Sequence, residues 1–154
     1  MNPEVQLPLE RRSSLGYQAN HLARLLEQAL RAQIARHGVV PGQFAQLLAL
    51  YEEDGLTQNQ LCERVRIDQS TMAHTLQRME RDGLIRRTTD PLDRRRARIT
   101  LTERSRELET VLVQAAQEVN ARATSGFTDE ETAMLLRMIS RLIGNLEADR
   151  AGDG

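Results

Sequence analysis

One stretch constrains the fold of this chain more than any other. Two helix starts, Thr57 and Asp68, follow each other closely, and the apolar period changes abruptly after Gly83. Thr57-Gln58-Asn59-Gln60 has the S/T-x-x-E/Q form of a capping box, in which hydroxyl and amide satisfy backbone N–H groups at a helix start, and it predicts a short helix from Gln58 to about Val65. Asp68 is suited to cap a longer helix from Gln69 to Asp82, closed by Gly83, a residue type that tolerates the left-handed conformation after a last turn. Two helices joined by about three residues make a helix-turn-helix. Beyond Gly83, Leu84-Ile85-Arg86-Arg87-Thr88 and Ala97-Arg98-Ile99-Thr100-Leu101 suit strands. Between them, Asp90-Pro91-Leu92-Asp93 is turn chemistry and Arg94-Arg95-Arg96 follows, so a β-hairpin with a cationic tip is predicted.

The flanks read as helices. Leu15, Ala19, Leu22, Leu26, Ala29 and Ile34 recur at three- and four-residue steps from about Glu10 to Arg36, and Gly38 stops them. Pro41-Gly42 restarts the chain, and Phe44, Leu47, Leu48 and Tyr51 mark a helix ending near Gly55. Thr102 caps a long helix carrying Leu108, Val111, Leu112, Ala115 and Val119 to about Ala123. Thr128-Asp129-Glu130-Glu131 is a second capping box, ahead of a broad stripe from Leu135 to Leu146. Residues 1–9, with Pro3 and Pro8, read as an arm without fixed structure, and 149–154 as a frayed tail. At 154 residues and 17.5 kDa the chain can bury a core of its own, and a two-domain enzyme of ordinary size is not expected.

The net charge of −1 hides a segregation. All 21 basic residues are arginine. Between Thr57 and Leu101 ten arginines face six acids, a balance of +4, whereas the remainder carries eleven against sixteen, a balance of −5. A basic segment inside an acidic protein indicates a local docking surface for a polyanion. No apolar run approaches the length of a membrane span, and the start lacks the pattern of a signal peptide, so a cytoplasmic protein is expected. The single cysteine, Cys62, excludes an internal disulfide and a multi-thiolate zinc site. His21, His37 and His74 show no metal-ligand spacing, and neither a nucleophile elbow nor a glycine-rich phosphate loop is present. Neither a metal nor a cofactor is expected, and no enzymatic activity.

On the Gln69–Asp82 helix, Met72, Leu76 and Met79 share a narrow sector. Ser70, His74, Gln77, Arg78 and Arg81 fall broadly opposite, with Thr71 and Thr75 on one flank. An outer face of hydrogen-bonding side chains suits base edges in a major groove, although an ordinary solvated helix has the same look. An arginine-bearing loop beside it can enter a minor groove. Here the chain resembles the multiple antibiotic resistance regulator (MarR) family of winged helix-turn-helix transcription factors. The resemblance rests on Leu56-Thr57, Leu61-Cys62, Ile67-Asp68-Gln69-Ser70-Thr71, Arg81-Asp82-Gly83-Leu84-Ile85-Arg86-Arg87, Asp90-Pro91-Leu92-Asp93-Arg94-Arg95-Arg96 and Ile99-Thr100-Leu101-Thr102. It implies a mainly α fold with a small β-hairpin wing: a winged helix-turn-helix at 41–101, with the helices of 10–40 and 102–148 forming a dimerisation region. It also implies that Ser70, Thr71, His74, Thr75 and Arg78 face the major groove, and that Arg95 of the wing, between Arg94 and Arg96, enters the minor groove braced by Asp93. Ser105 stands where the family usually has glycine, which should only strengthen a helix start, and Cys62 where it usually has alanine.

A lone helix and wing cover too few base pairs for specificity, so two copies on a pseudo-palindromic double-stranded site are expected. The apolar stripes outside the winged segment are then covered by a second subunit; an intramolecular bundle is the alternative. The resemblance further implies a repressor released by a small aromatic or anionic effector. Tyr17, His21, Tyr51 and Arg87 are candidates to line its cleft, although each has a plainer role as core, surface or strand charge. Two other readings stay open: a redox-responsive regulator acting through Cys62, and a winged helix that binds protein rather than DNA.

Overall fold

The structure, a computed structural model, describes residues 10–152. Helix α1 (Leu15–Ile34) begins at Ser14, whose hydroxyl accepts the Tyr17 N–H, and ends in a 3-10 turn, Ala35–His37, closed by Gly38 at a φ of 73°. The helix expected from Glu10 therefore starts later: Arg11–Ser13 form a separate 3-10 turn, because Ser14 is extended and resets the chain as a cap. Helix α2 (Pro41–Glu52) opens on a proline, whose missing N–H would be unpaired there anyway. It stops at Glu52, short of Gly55, where Glu53 turns extended.

Strand β1 (Leu56–Thr57) leads into α3 (Gln58–Val65) and α4 (Gln69–Arg81), which begin where the local capping signals put them. Thr57 accepts the Gln60 N–H and Asp68 the Thr71 N–H. Between the helices Arg66 sits at a φ of 61°, a left-handed conformation that costs an L-residue about 1 kcal/mol or more. Strands β2 (Ile85–Thr89) and β3 (Ala97–Leu101) pair antiparallel from Ile85↔Leu101 to Thr89↔Ala97. The expected hairpin is present, and β1 adds a third strand to it in a sheet of order β1-β3-β2, with Leu56 opposite Ile99. A two-residue strand has no period to read.

The chain divides into two compact units, one running to Val119 and the other beginning at Asn120. In the first, Leu47 and Leu50 of α2, Leu61 of α3, Met72, Leu76 and Met79 of α4, and Ile85 and Ile99 of the sheet are all buried. Leu112 of α5 (Glu103–Ala123) joins them. Of α1 only Ile34 is buried; Leu15, Tyr17, Leu22 and Leu25 of its stripe are exposed. In the second unit α6 (Asp129–Gly152) starts at Thr128, which exchanges hydrogen bonds with Glu131. Met134, Leu136, Met138, Ile139, Leu142, Ile143 and Leu146 are exposed along it. The expected frayed tail is corrected in part: α6 continues through Asp149 to Gly152, since Asp149-Arg150-Ala151 contains no helix breaker. The arm expected at 1–9, and residues 153–154, lie outside the described residues.

Candidate nucleic-acid interface

Burial of Met72, Leu76 and Met79 forces the opposite side of α4 outward. Ser70, Thr71, His74, Gln77 and Arg78 are exposed there, with Thr75 half-buried on the flank. The two threonines are already committed as donors. Thr71 Oγ1 donates to Asp68 Oδ2 at 2.8 Å and Thr75 Oγ1 to the Thr71 carbonyl at 3.0 Å, so each hydroxyl presents only acceptor lone pairs outward. Bonds from the Thr71 backbone N–H first, and then its hydroxyl, hold the Asp68 carboxyl below the usual carboxylate range. Arg81, opposite the core on the helix, pairs with Asp82 at 3.2 Å.

The two helices of the motif are also cross-braced by amides that no sequence pattern marks. Gln69 Nε2 donates to Asn59 Oδ1 at 2.6 Å, and Gln58 Nε2 to Gln69 Oε1 at 3.1 Å. Their only signal was proximity to the two caps.

The wing is held at its root by Asp90, which is 5% exposed. Its Oδ1 accepts the Leu92 N–H at 2.9 Å, its Oδ2 lies 3.2 Å from Arg98 Nε, and its own N–H donates to the Arg96 carbonyl at 2.9 Å. The Leu92 bond first, and then the charge and hydrogen bond of Arg98, hold its carboxyl below the usual carboxylate range. Arg98 also donates to the Gly55 carbonyl at 3.0 Å, tying the wing to the loop before β1. Asp93 braces the tip, but through the backbone. Its Oδ1 accepts the Arg95 N–H at 3.0 Å and its carbonyl the Arg96 N–H at 3.0 Å, while its Oδ2 reaches Arg96 Nε only at 3.8 Å. The Arg94 and Arg95 guanidiniums are exposed and have no partner among the described residues. Four wing arginines that look alike in sequence thus differ: Arg98 is spent, Arg96 is loosely held, and Arg94 and Arg95 are available.

The four candidate effector residues stand on three elements, α1, α2 and β2, and no hydrogen bond or ion pair joins any two of them among the described residues. Tyr17 and His21 are exposed on α1. Tyr51 of α2 donates its hydroxyl to the Ser105 carbonyl at 2.6 Å, and burial first, with Glu109 second, pushes its pKa up to about 12. Arg87 of β2 lies 3.6 Å from Glu80, and faces a cleft of about 360 Å3 between the wing and the start of α3 that Gln58, Asn59, Arg95 and Arg96 also line. Cys62 is half-buried against the core; burial, then Asp68 and Glu63, raises its thiol pKa, which disfavours the reactive thiolate.

Ser105 does more than strengthen a helix start. It is fully buried, its hydroxyl donates to the Leu84 carbonyl, and its N–H donates to Thr102 Oγ1 at 3.3 Å. Among the described residues, no group of His, Cys, Asp and Glu side chains could hold a metal ion, and no helix is long and apolar enough to cross a membrane.

A MarR family model matches residues 37–96. The HTH-type transcriptional regulator TtmR of Methylorubrum extorquens is 31% identical over 140 residues, covering 91% of this chain and 70% of that protein. The crystal structure of a MarR transcriptional regulator from Methanosarcina mazei superposes with a TM-score of 0.77 at 30% identity, covering 85% of this chain and 94% of that one. A MarR family regulator from Listeria monocytogenes, solved in complex with a 26mer DNA, shares the fold with a TM-score of 0.81 at 23% identity, covering 89% of this chain and 91% of that one.

Proposed function

The chain belongs to the MarR family of winged helix-turn-helix transcriptional regulators, and from that premise we propose that it binds a pseudo-palindromic duplex as a homodimer. The observation that carries this reading is the pairing of an outward polar face on α4 with a wing tip whose Arg94 and Arg95 have no partner among the described residues. Ser70, Thr71, His74, Thr75 and Arg78 are assigned to base edges in the major groove. Arg95 is assigned to the minor groove, flanked by Arg94 and Arg96 and positioned by Asp93. Because Thr71 and Thr75 offer only acceptors, the bases beside them are those that present an exocyclic amino group, cytosine or adenine. The DNA complex of the Listeria regulator supports the choice of partner.

Dimerisation is assigned to 10–40 and 102–148, leaving 41–101 to read DNA. Its support is the run of exposed large apolar side chains on α1 and the longer run on α6, of the kind that marks an interaction surface. Two recognition helices would then meet successive major grooves roughly 34 Å apart. Cytoplasmic repression, released by a small aromatic or anionic effector, completes the proposal on the strength of the family alone.

The test is selection of genomic fragments with the purified chain, followed by footprinting. Two protected half-sites about one helical turn apart are expected. Recovered duplexes that bind no better than scrambled ones would overturn the reading, as would binding indifferent to salt, which a protein-interaction module predicts.

A further inference from the structure

The first turn of α5 grips the end of α4. Thr102 Oγ1 donates to the Gly83 carbonyl at 2.6 Å, Ser105 Oγ to the Leu84 carbonyl, and Arg104 Nη1 to the Asp82 carbonyl, so three consecutive carbonyls just past the helix are held from one place. Thr102 and Ser105 are buried and belong to the packing. Arg104 is exposed, and its side chain alone of the three bonds to a second element: its Nη2 donates to the His37 carbonyl at 2.9 Å, at the end of the turn that closes α1. Gly38 leaves room for this. A Cβ there would lie 2.6 Å from Arg104 Nη2, at a φ of +73°. A cation bridging the carbonyl ends of two helical segments also matches their dipoles. The far side of the joint is fixed as well, since Gln43 Nε2 donates to Asp82 Oδ2 at 2.9 Å.

We propose that Arg104 is a positioning residue for DNA recognition: it ties the carboxyl end of the recognition helix to that of α1 and so sets the pose of α4, without touching DNA. The inference rests on the DNA-binding reading above. It predicts that losing the bridge lowers specific affinity while the number of phosphates neutralised stays the same. A direct phosphate contact by Arg104 would lower both.

The test compares Arg104→Ala and Gly38→Ala in the full chain, the second displacing the guanidinium while keeping its charge. Anisotropy titrations against a duplex recovered by genomic selection, at several salt concentrations, should show binding weakened about tenfold in both variants, the size of one charge-assisted hydrogen bond. The log–log salt slope and the affinity for scrambled duplex should match the parent. Unchanged specific affinity in Arg104→Ala overturns the proposal, as does a flattened slope in Arg104→Ala alone. If the parent chain binds no duplex, the DNA-binding reading fails, and the bridge is judged by hydrogen exchange. Arg104→Ala should then speed exchange of the Asp82, Gly83 and Gly38 amides and leave the α2 core unaltered; uniform exchange would refute it.

Discussion

Replacing Arg95 and Arg98 one at a time separates a charge available to DNA from a charge already used. The Arg95 guanidinium has no partner among the described residues, whereas Arg98 lies 3.2 Å from the Asp90 carboxylate and donates to the Gly55 carbonyl. In a homodimer each substitution removes two guanidiniums. At roughly 0.9 per neutralised phosphate, Arg95→Ala should flatten the log–log salt slope by about 1.8. Over the fourfold change from about 50 to 200 mM salt, that is a difference of roughly twelvefold in how far affinity falls. Arg98→Ala should leave the slope alone, because Asp90 already neutralises that charge. It should instead cost about 1 kcal/mol of stability, the low end for a charged hydrogen bond because the arginine is 41% exposed, and lower Tm by roughly 2–4 °C. Anisotropy titrations across that salt range, with circular dichroism melts at one protein concentration, read both. Equal flattening by the two substitutions, or none by either, would refute the division of the wing into spent and available arginines.

Ser105→Gly restores the usual family residue yet should destabilise the chain by about 2 kcal/mol, from one buried hydrogen bond and glycine's backbone entropy, and a denaturant midpoint no lower than the parent's would contradict this. Asp68, Asp82 and Asp90 all have folded pKa values below their ordinary one, so their stabilisation is complete above about pH 4 and is lost as pH falls through the folded values. Urea midpoints should hold steady down to about pH 5 and fall below pH 4, less steeply in Asp82→Asn; a flat profile to pH 3 would count against it. With its thiol pKa raised, Cys62 should react with iodoacetamide more slowly than free glutathione at pH 7, and peroxide should leave DNA affinity unchanged. Rapid alkylation, or release from DNA by peroxide, would reinstate the redox reading.

What the sequence revealed about the fold was local in origin. Thr57 with Gln60, Asp68 with Thr71 and Thr128 with Glu131 are each partners three residues apart, and the helices begin where those pairs stand. The buried face of α4 was equally legible, since Met72, Leu76 and Met79 are set by helical period alone. Strand β1 was not, because what makes Leu56 a strand residue is Ile99, far along the chain. Nor was the late start of α1: Ser13 and Ser14 are both plausible caps, and only backbone geometry chooses Ser14.

The candidate site shows where such reading ends. A cationic tip after Pro91 is legible in the charge pattern, but in that pattern every arginine has the same value. Which ones are free depends on carboxylates and carbonyls supplied by the fold: Asp90 and Gly55 for Arg98, Glu80 for Arg87, Asp82 and His37 for Arg104. In sequence Asp90 has the look of turn chemistry and Ser105 of a helix start, yet each is buried and holds a joint between elements. A buried polar residue is informative because its desolvation must be offset by a partner, and burial does not appear in a sequence until the core is assembled. The readable part of a winged helix is therefore its helix starts and its net charge. The part that decides where the Arg94 and Arg95 guanidiniums point is a set of long-range bonds at the root of the wing and the end of α4.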